Sequence, residues 1–205
     1  MDRHAWDRRY AESTQLWSEE PNIWVRESLD GVPPGRALDI AAGEGRNALW
    51  LAEQGWQVTA VDFAQVALDR GRESARRRLG DGFDRIAWVH ADVLNYQPEP
   101  RSYDVVLVVY LHLAPQARQR IFRSAADAVK IGGLLLAVAH DRENLTGGVG
   151  GPQDPTVLYA EHDLVADLDR TGLQIRTNEV RRRAVETAAG ERYALDRVVL
   201  AVRHD

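Results

Sequence analysis

Five short apolar runs fix the class of this chain: residues 36–40 (RALDI), 57–61 (QVTAV), 86–90 (IAWVH), 103–109 (YDVVLVV) and 134–140 (LLLAVAH). Three of the four gaps between them hold helical patterns, at 45–54, 64–79 and 115–130. A strand covered by helices on both faces has no polar side, so it reads as a continuous apolar run rather than an alternating one. Strand, helix, strand in this order predicts βαβ units on a largely parallel sheet. In the second helix Leu68, Gly71, Ala75 and Leu79 recur at three- and four-residue spacing, and Pro115 suits the first turn of the third. Lys130-Ile131-Gly132-Gly133 is expected to be the turn that ends that third helix. A fourth helix is predicted over 161–171, stopped by Gly172. Two terminal strands, 173–184 and 193–203, follow with Ala189-Gly190 between them. The expected architecture is α/β, a seven-stranded, mostly parallel sheet with helices on both faces and one antiparallel strand in the final pair.

A chain of 205 residues is sized for one α/β domain. Within 1–205, residues 1–35 read as a helical N-terminal cover, with Trp6, Tyr10, Trp17 and Trp24 among charges and a break near Pro21. Residues 36–140 are the ligand-binding core, and 141–205 supply a substrate-side loop, a helix and the strand pair. Gly147 to Pro155 (GGVGGPQDP) has four glycines and two prolines, which suits a connector near the site. The absence of cysteine excludes disulfides, thiolate zinc sites and cysteine nucleophiles. No window of about 18 apolar residues offers a membrane span, and the charged start differs from a signal peptide, so the expected location is the cytoplasm. A net charge of -5 argues against a nucleic-acid partner, and Arg76-Arg77-Arg78 and Arg181-Arg182-Arg183 read as solvated faces. A small-molecule substrate and a monomer or homodimer are the resulting expectations.

The chemistry concentrates in Leu38-Asp39-Ile40-Ala41-Ala42-Gly43-Glu44-Gly45-Arg46-Asn47, where a strand ends and a helix begins. Gly43 and Gly45 let backbone amides approach a ligand at the helix N-terminus. Asp62 ends the second strand, placed to accept hydrogen bonds from both hydroxyls of a ribose, and Asp92 follows the third strand in the same relation. Three acids thus lie along the carboxyl edge of the sheet, the ligand crevice of an open α/β fold. Gly43, Gly45 and Ala48 also satisfy a dinucleotide fingerprint with Asp62 as its acid, so the local motif leaves a nicotinamide-dependent reductase open. Asp39 weighs against it: a carboxylate beneath the loop repels a pyrophosphate but suits a ligand bearing an ammonium and a sulfonium.

In these residues the sequence resembles the class I S-adenosylmethionine-dependent methyltransferases, and within them the tellurite-resistance and thiopurine-type small-molecule group. The resemblance rests on Gly43-Glu44-Gly45-Arg46-Asn47-Ala48-Leu49 and Trp56-Gln57-Val58-Thr59-Ala60-Val61-Asp62, and spans roughly residues 36 to 140. It implies a Rossmann-like fold and methyl transfer from S-adenosyl-L-methionine, leaving S-adenosyl-L-homocysteine, to a small oxygen, sulfur, nitrogen or metalloid nucleophile. By the same resemblance the backbone from Ala41 to Gly45 holds the methionyl part, with Arg46 near its carboxylate. Asp62 takes the ribose, Phe63 flanks the adenine, and Asp92 with Val93 reads its amino group. Val109 and Tyr110 border the methyl donor. Ala41 replaces the usual first glycine, a slight cost if its φ is negative, and Ile131 replaces a proline.

On the acceptor side the neutral-pH candidates are His112 and His140, with Tyr110 able to orient an acceptor by hydrogen bond. No helical metal-binding spacing is present, and no metal is expected. A nucleic-acid methyltransferase and a non-catalytic S-adenosylmethionine-binding protein complete the alternatives.

Overall fold

The computed structural model describes residues 20–188 and 190–204. The aromatic cover read at Trp6, Tyr10 and Trp17 lies outside these residues, and its described part is α1 (Ile23–Leu29), capped by the Asn22 side chain. Then follow β1 (Arg36–Ile40), α2 (Arg46–Glu53), β2 (Gln57–Asp62), α3 (Gln65–Leu79), a 3₁₀ turn at Gly80–Arg85 and β3 (Ile86–His90). The second half holds β4 (Tyr103–Val109), α4 (Pro115–Ala128), β5 (Val129–His140), the short α5 (Asn144–Gly147), α6 (Glu161–Asp167), β6 (Leu173–Thr187) and β7 (Gly190–Arg203).

These strands form one seven-stranded sheet in the order β3-β2-β1-β4-β5-β7-β6. The first five run parallel and the final pair contains one antiparallel strand, as the sequence pattern anticipates; that strand, β7, inserts between β5 and β6. The parallel strands bury both faces. Leu38, Ile40, Val106 and Val108 meet Ile121 and Phe122 of α4 on one side. Ala37, Val105 and Leu107 meet Leu49 and Leu51 of α2, Trp56 and Val25 of α1 on the other. Fully burying such a side chain stabilises by about 1.5–3 kcal/mol, which is why this alternation holds the strand register. The chain reverses direction across the sheet between β1 and β4, so a crevice opens at their carboxyl ends.

Three sequence expectations are corrected. The predicted helix over 115–130 ends at Ala128, and Lys130-Ile131-Gly132-Gly133 is a bulge inside β5 rather than a helix-ending turn. Tyr103 pairs with Val129 and Val105 with Leu134, so the four residues sit opposite Asp104 alone. Gly132 takes φ +78°, and a Cβ at Gly133 would lie 3.0 Å from the carbonyl oxygens of Tyr103 and Asp104. Helix α6 is shorter than 161–171, because Arg170 and Gly172 both turn left-handed and halt it. The terminal strands run longer than predicted, β6 reaching Thr187 and β7 starting at Gly190. Among the described residues no helix is long and apolar enough to cross a membrane.

Candidate active site

The glycine loop is built from three consecutive left-handed turns of backbone: Ala41 (φ 59°), Gly43 (φ 58°) and Gly45 (φ 76°). Gly45 N–H donates to the Ala42 carbonyl, and Gly45 caps α2 without a side-chain bond of its own, while the buried Asp39 carboxylate accepts from the first-turn amide of Ala48. Glycine is needed at 45 for a second reason, since a Cβ there would run into the Trp88 ring. Ala41 departs from expectation. Its positive φ costs an L-residue roughly 1–2 kcal/mol, so replacing the first glycine is not cheap.

Asp62 braces this loop. Its Oδ2 accepts from Gly43 N–H and its Oδ1 from Ala64 N–H, both at 2.8 Å, with the residue only 5% exposed. Asp62 lines the crevice. Phe63, Asp92 and Val93 also line it. Asp92 is exposed and ties its own turn, its Oδ1 accepting from Leu94 N–H at 2.9 Å and its Oδ2 from Asn95 Nδ2 at 3.0 Å. Asp39 and Gly45 lie behind the lining rather than on it. Burial drives the Asp39 carboxyl up to about 7 against the pull of Arg46, and its Oδ2 is buried with no hydrogen-bond partner. Arg46 lines the crevice, its guanidinium 5.8 Å from the centre of the Tyr110 ring.

The other half of the crevice gathers around a residue that sequence reasoning missed. Asp196 of β7 is fully buried, and its Oδ2 accepts from Tyr110 Oη at 2.8 Å, Trp24 Nε1 at 2.9 Å and Arg183 Nε at 2.8 Å. Its Oδ1 stands 3.3 Å from His140 Nδ1. That is a charge contact rather than a formed hydrogen bond, and neither atom has another hydrogen-bond partner among the described residues. Burial alone would raise Asp196, but His140, Arg183 and Trp24 outweigh it and hold the carboxyl at about 2. Burial and the Asp196 charge push the Tyr110 phenol up, so it remains a donor. Arg183 was expected on a solvated face; its side chain is 28% exposed and turns inward to this carboxylate, while Arg182 on the opposite face is exposed. The sequence does carry a signal for Asp196, an acid inside the apolar run of β7.

His112, His140 and Tyr110 all line the crevice, as expected from their strand ends. The rings form a stack, with Tyr110 and His140 centroids 5.0 Å apart and His112 and His140 5.6 Å apart. Tyr110 is held in this stack at φ 55°, a strained value that a buried hydrogen-bond set must over-determine. His112 Nδ1 lies 3.1 Å from the Val157 carbonyl, which can only accept, so Nδ1 carries the proton. Burial drives His112 down to about 4. The crevice holds about 1770 Å³, more than the roughly 300–1,000 Å³ of a single small-ligand site.

Residues 37–133 match the family model for a methyltransferase domain. The chain is 35% identical to a demethylmenaquinone methyltransferase of Clavibacter sepedonicus, over 47% of this chain and 36% of that protein. It is 26% identical to glycine N-methyltransferase of Oryctolagus cuniculus, over 81% of this chain and 61% of that protein. The chain therefore spans between about a third and three fifths of the length of these curated relatives. Among solved structures, one from work on conversion of a disulfide bond into a thioacetal group during echinomycin biosynthesis superposes with a TM-score of 0.77 at 19% identity, covering 98% of this chain and 93% of that one. TehB from Haemophilus influenzae gives a TM-score of 0.68 at 18% identity, covering 98% of this chain and 66% of that one. Residues 37–133 are thus similar to a methyltransferase domain, and the chain shares the fold of these solved structures along its length.

Proposed function

We propose that this protein binds S-adenosylmethionine in the crevice and transfers its methyl group to a small molecule. The observation that carries the reading is the crevice itself: a left-handed glycine loop braced by Asp62, facing a separate polar wall of Tyr110, His112 and His140 across space for two ligands. The relatives named above are methyltransferases, which supports the same reading.

The residues present fit the cofactor. One buried carboxylate oxygen of Asp39 lacks a hydrogen-bond partner beneath the glycine loop, an arrangement that suits an ammonium and repels a pyrophosphate. This favours methyl transfer over the reductase alternative. Ala41 to Gly45 and Arg46 would hold the methionyl part, Asp62 the ribose, and Phe63, Asp92 and Val93 the adenine. Val109 and Tyr110 would border the transferring group. When bound, S-adenosylmethionine would supply an electrophilic sulfonium methyl, from which a nucleophile displaces the thioether in line. The chain's part is to hold an acceptor on the wall of stacked rings and to exclude competing water, since orientation alone removes much of such a barrier.

Calorimetry with S-adenosylhomocysteine against NADH tests the cofactor, and methyl transfer from labelled donor over a panel of thiol, phenol, alcohol, amine and metalloid acceptors tests the activity. Binding of NADH in preference would overturn the reading. Salt-dependent RNA binding at micromolar affinity would point instead to a nucleic-acid acceptor.

A further inference from the structure

Sheet register places His140 directly opposite Asp196 on the neighbouring antiparallel strand. This cross-strand pairing holds the ring nitrogen and the carboxylate together through the backbone, independent of loop position. Three donors already occupy Oδ2 of Asp196, and Oδ1 is left to face only His140 Nδ1 at 3.3 Å. An ionised carboxylate so placed selects the tautomer with its proton on Nδ1, which leaves the lone pair on Nε2. The ring itself is clamped. Tyr110 stacks on it at 5.0 Å, and a Cβ at Gly151 would come within 2.6 Å of Cδ2, so the glycine-rich connector lies against the imidazole. His140, Gly151 and Pro152 together line the crevice.

His112 lacks these features. Its Nδ1 meets the neutral carbonyl of Val157, and the Asp196 charge reaches it only as a lesser influence than burial. Burial makes it a weak base, as its fall to about 4 records. The charged and titratable groups around His140 are Asp196 on β7, Tyr110 and His112 after β4, and Arg183 on β6, whose charge is itself paired with Asp196.

We propose that His140 and Asp196 form a proton-accepting dyad, with Asp196 as the positioning residue, and that the acceptor is therefore a hydroxyl compound, phenol or alcohol, which arrives still protonated. The inference rests on the methyl-transfer reading above. The acceptor oxygen forms a bond to the methyl carbon while the carbon–sulfur bond breaks with its electron pair left on sulfur. The hydroxyl proton passes to Nε2 of His140 and is released to water once the products leave. A thiol that is already ionised would not need this dyad, and a base of this kind is worth about 10² to 10⁴ in rate only where a proton must move.

Two measurements test it. Long-range ¹⁵N–¹H spectra of the full chain report the His140 tautomer without any acceptor: Nδ1–H is expected in the wild type, with Nε2–H growing in Asp196→Asn. Kinetics of His140→Gln are expected to lose at least about 10²-fold in kcat with hydroxyl acceptors, together with the acid limb of the pH profile. With an ionised thiol the loss is expected to be at least about tenfold smaller. Calorimetry with S-adenosylhomocysteine checks that this variant is folded and loaded. An Nε2–H tautomer in the wild type, equal losses for all acceptors, or turnover of thiols without hydroxyl compounds would each overturn the dyad. Failure of the wild type to bind S-adenosylhomocysteine would instead remove the methyl-transfer reading, while the tautomer result would still stand.

Discussion

Asp62 is where loop architecture and the proposed cofactor binding meet, and the two roles separate under mutation. In the ligand-free chain its oxygens accept from Gly43 and Ala64 amides at 2.8 Å each, nearly out of water. A hydrogen bond to a charged group is worth about 1.5–3 kcal/mol, and water entering the space left by truncation recovers part of it. Asp62→Ala should therefore lower unfolding free energy by about 2–4 kcal/mol, and Asp62→Asn by about 1–3 kcal/mol because its amide turns a donor toward one of the two N–H groups. Urea denaturation without ligand measures this. If the same carboxylate holds the ribose hydroxyls as proposed, S-adenosylhomocysteine affinity should fall by a further roughly 2–4 kcal/mol in Asp62→Ala, about 30- to 1,000-fold in Kd by calorimetry. Reduced stability with unchanged affinity would confine Asp62 to bracing the loop. Unchanged stability and affinity together would refute the reasoning.

The remaining predictions concern backbone strain and buried charge. Ala41→Gly relieves a left-handed alanine at φ 59°, a gain of about 1–2 kcal/mol offset by about 0.4–1 kcal/mol of added chain freedom, so calorimetric melting should rise by a few °C. Because folding depresses Asp196 from 3.8 to about 2, its contribution is complete above pH 4 and lost as pH falls toward 2. At about 1.4 kcal/mol per unit this is on the order of 2 kcal/mol, and urea stability measured against pH should lose that acid limb in Asp196→Asn. Asp39 has the opposite sign, raised from 3.8 to about 7, so the wild type should lose stability as pH climbs from 4 to 7. Asp39→Asn should flatten that slope in the same titration while weakening S-adenosylhomocysteine binding.

Local pattern made most of the fold legible. The buried parallel strands announce themselves as apolar runs, and the loop at Ala41–Gly45 with Asp62 at the next strand end sits where strand-to-helix chemistry places it. The misjudged boundaries were those where a tertiary contact overrode propensity, as when the close approach of Gly133 to β4 drew Val129 and its neighbours out of the helix and into β5. Ala41 shows the same limit: the residue type was plain, but the sign of its φ was set by closure of the whole loop.

The sequence by itself determined the α/β class, the parallel half of the sheet and the place of the glycine loop beside Asp62, because these depend on periodicities and spacings within one or two neighbouring elements. Only the tertiary structure decided the acceptor side. Asp196 is 172 residues from Trp24 and 86 from Tyr110 along the chain, and it joins them solely because β7 inserts between β5 and β6. That insertion turns Arg183 from a solvated residue into a buried partner and sets His140 against a carboxylate. No local pattern encodes such a meeting, since it depends on strand order and register, which are settled by the burial of every face at once.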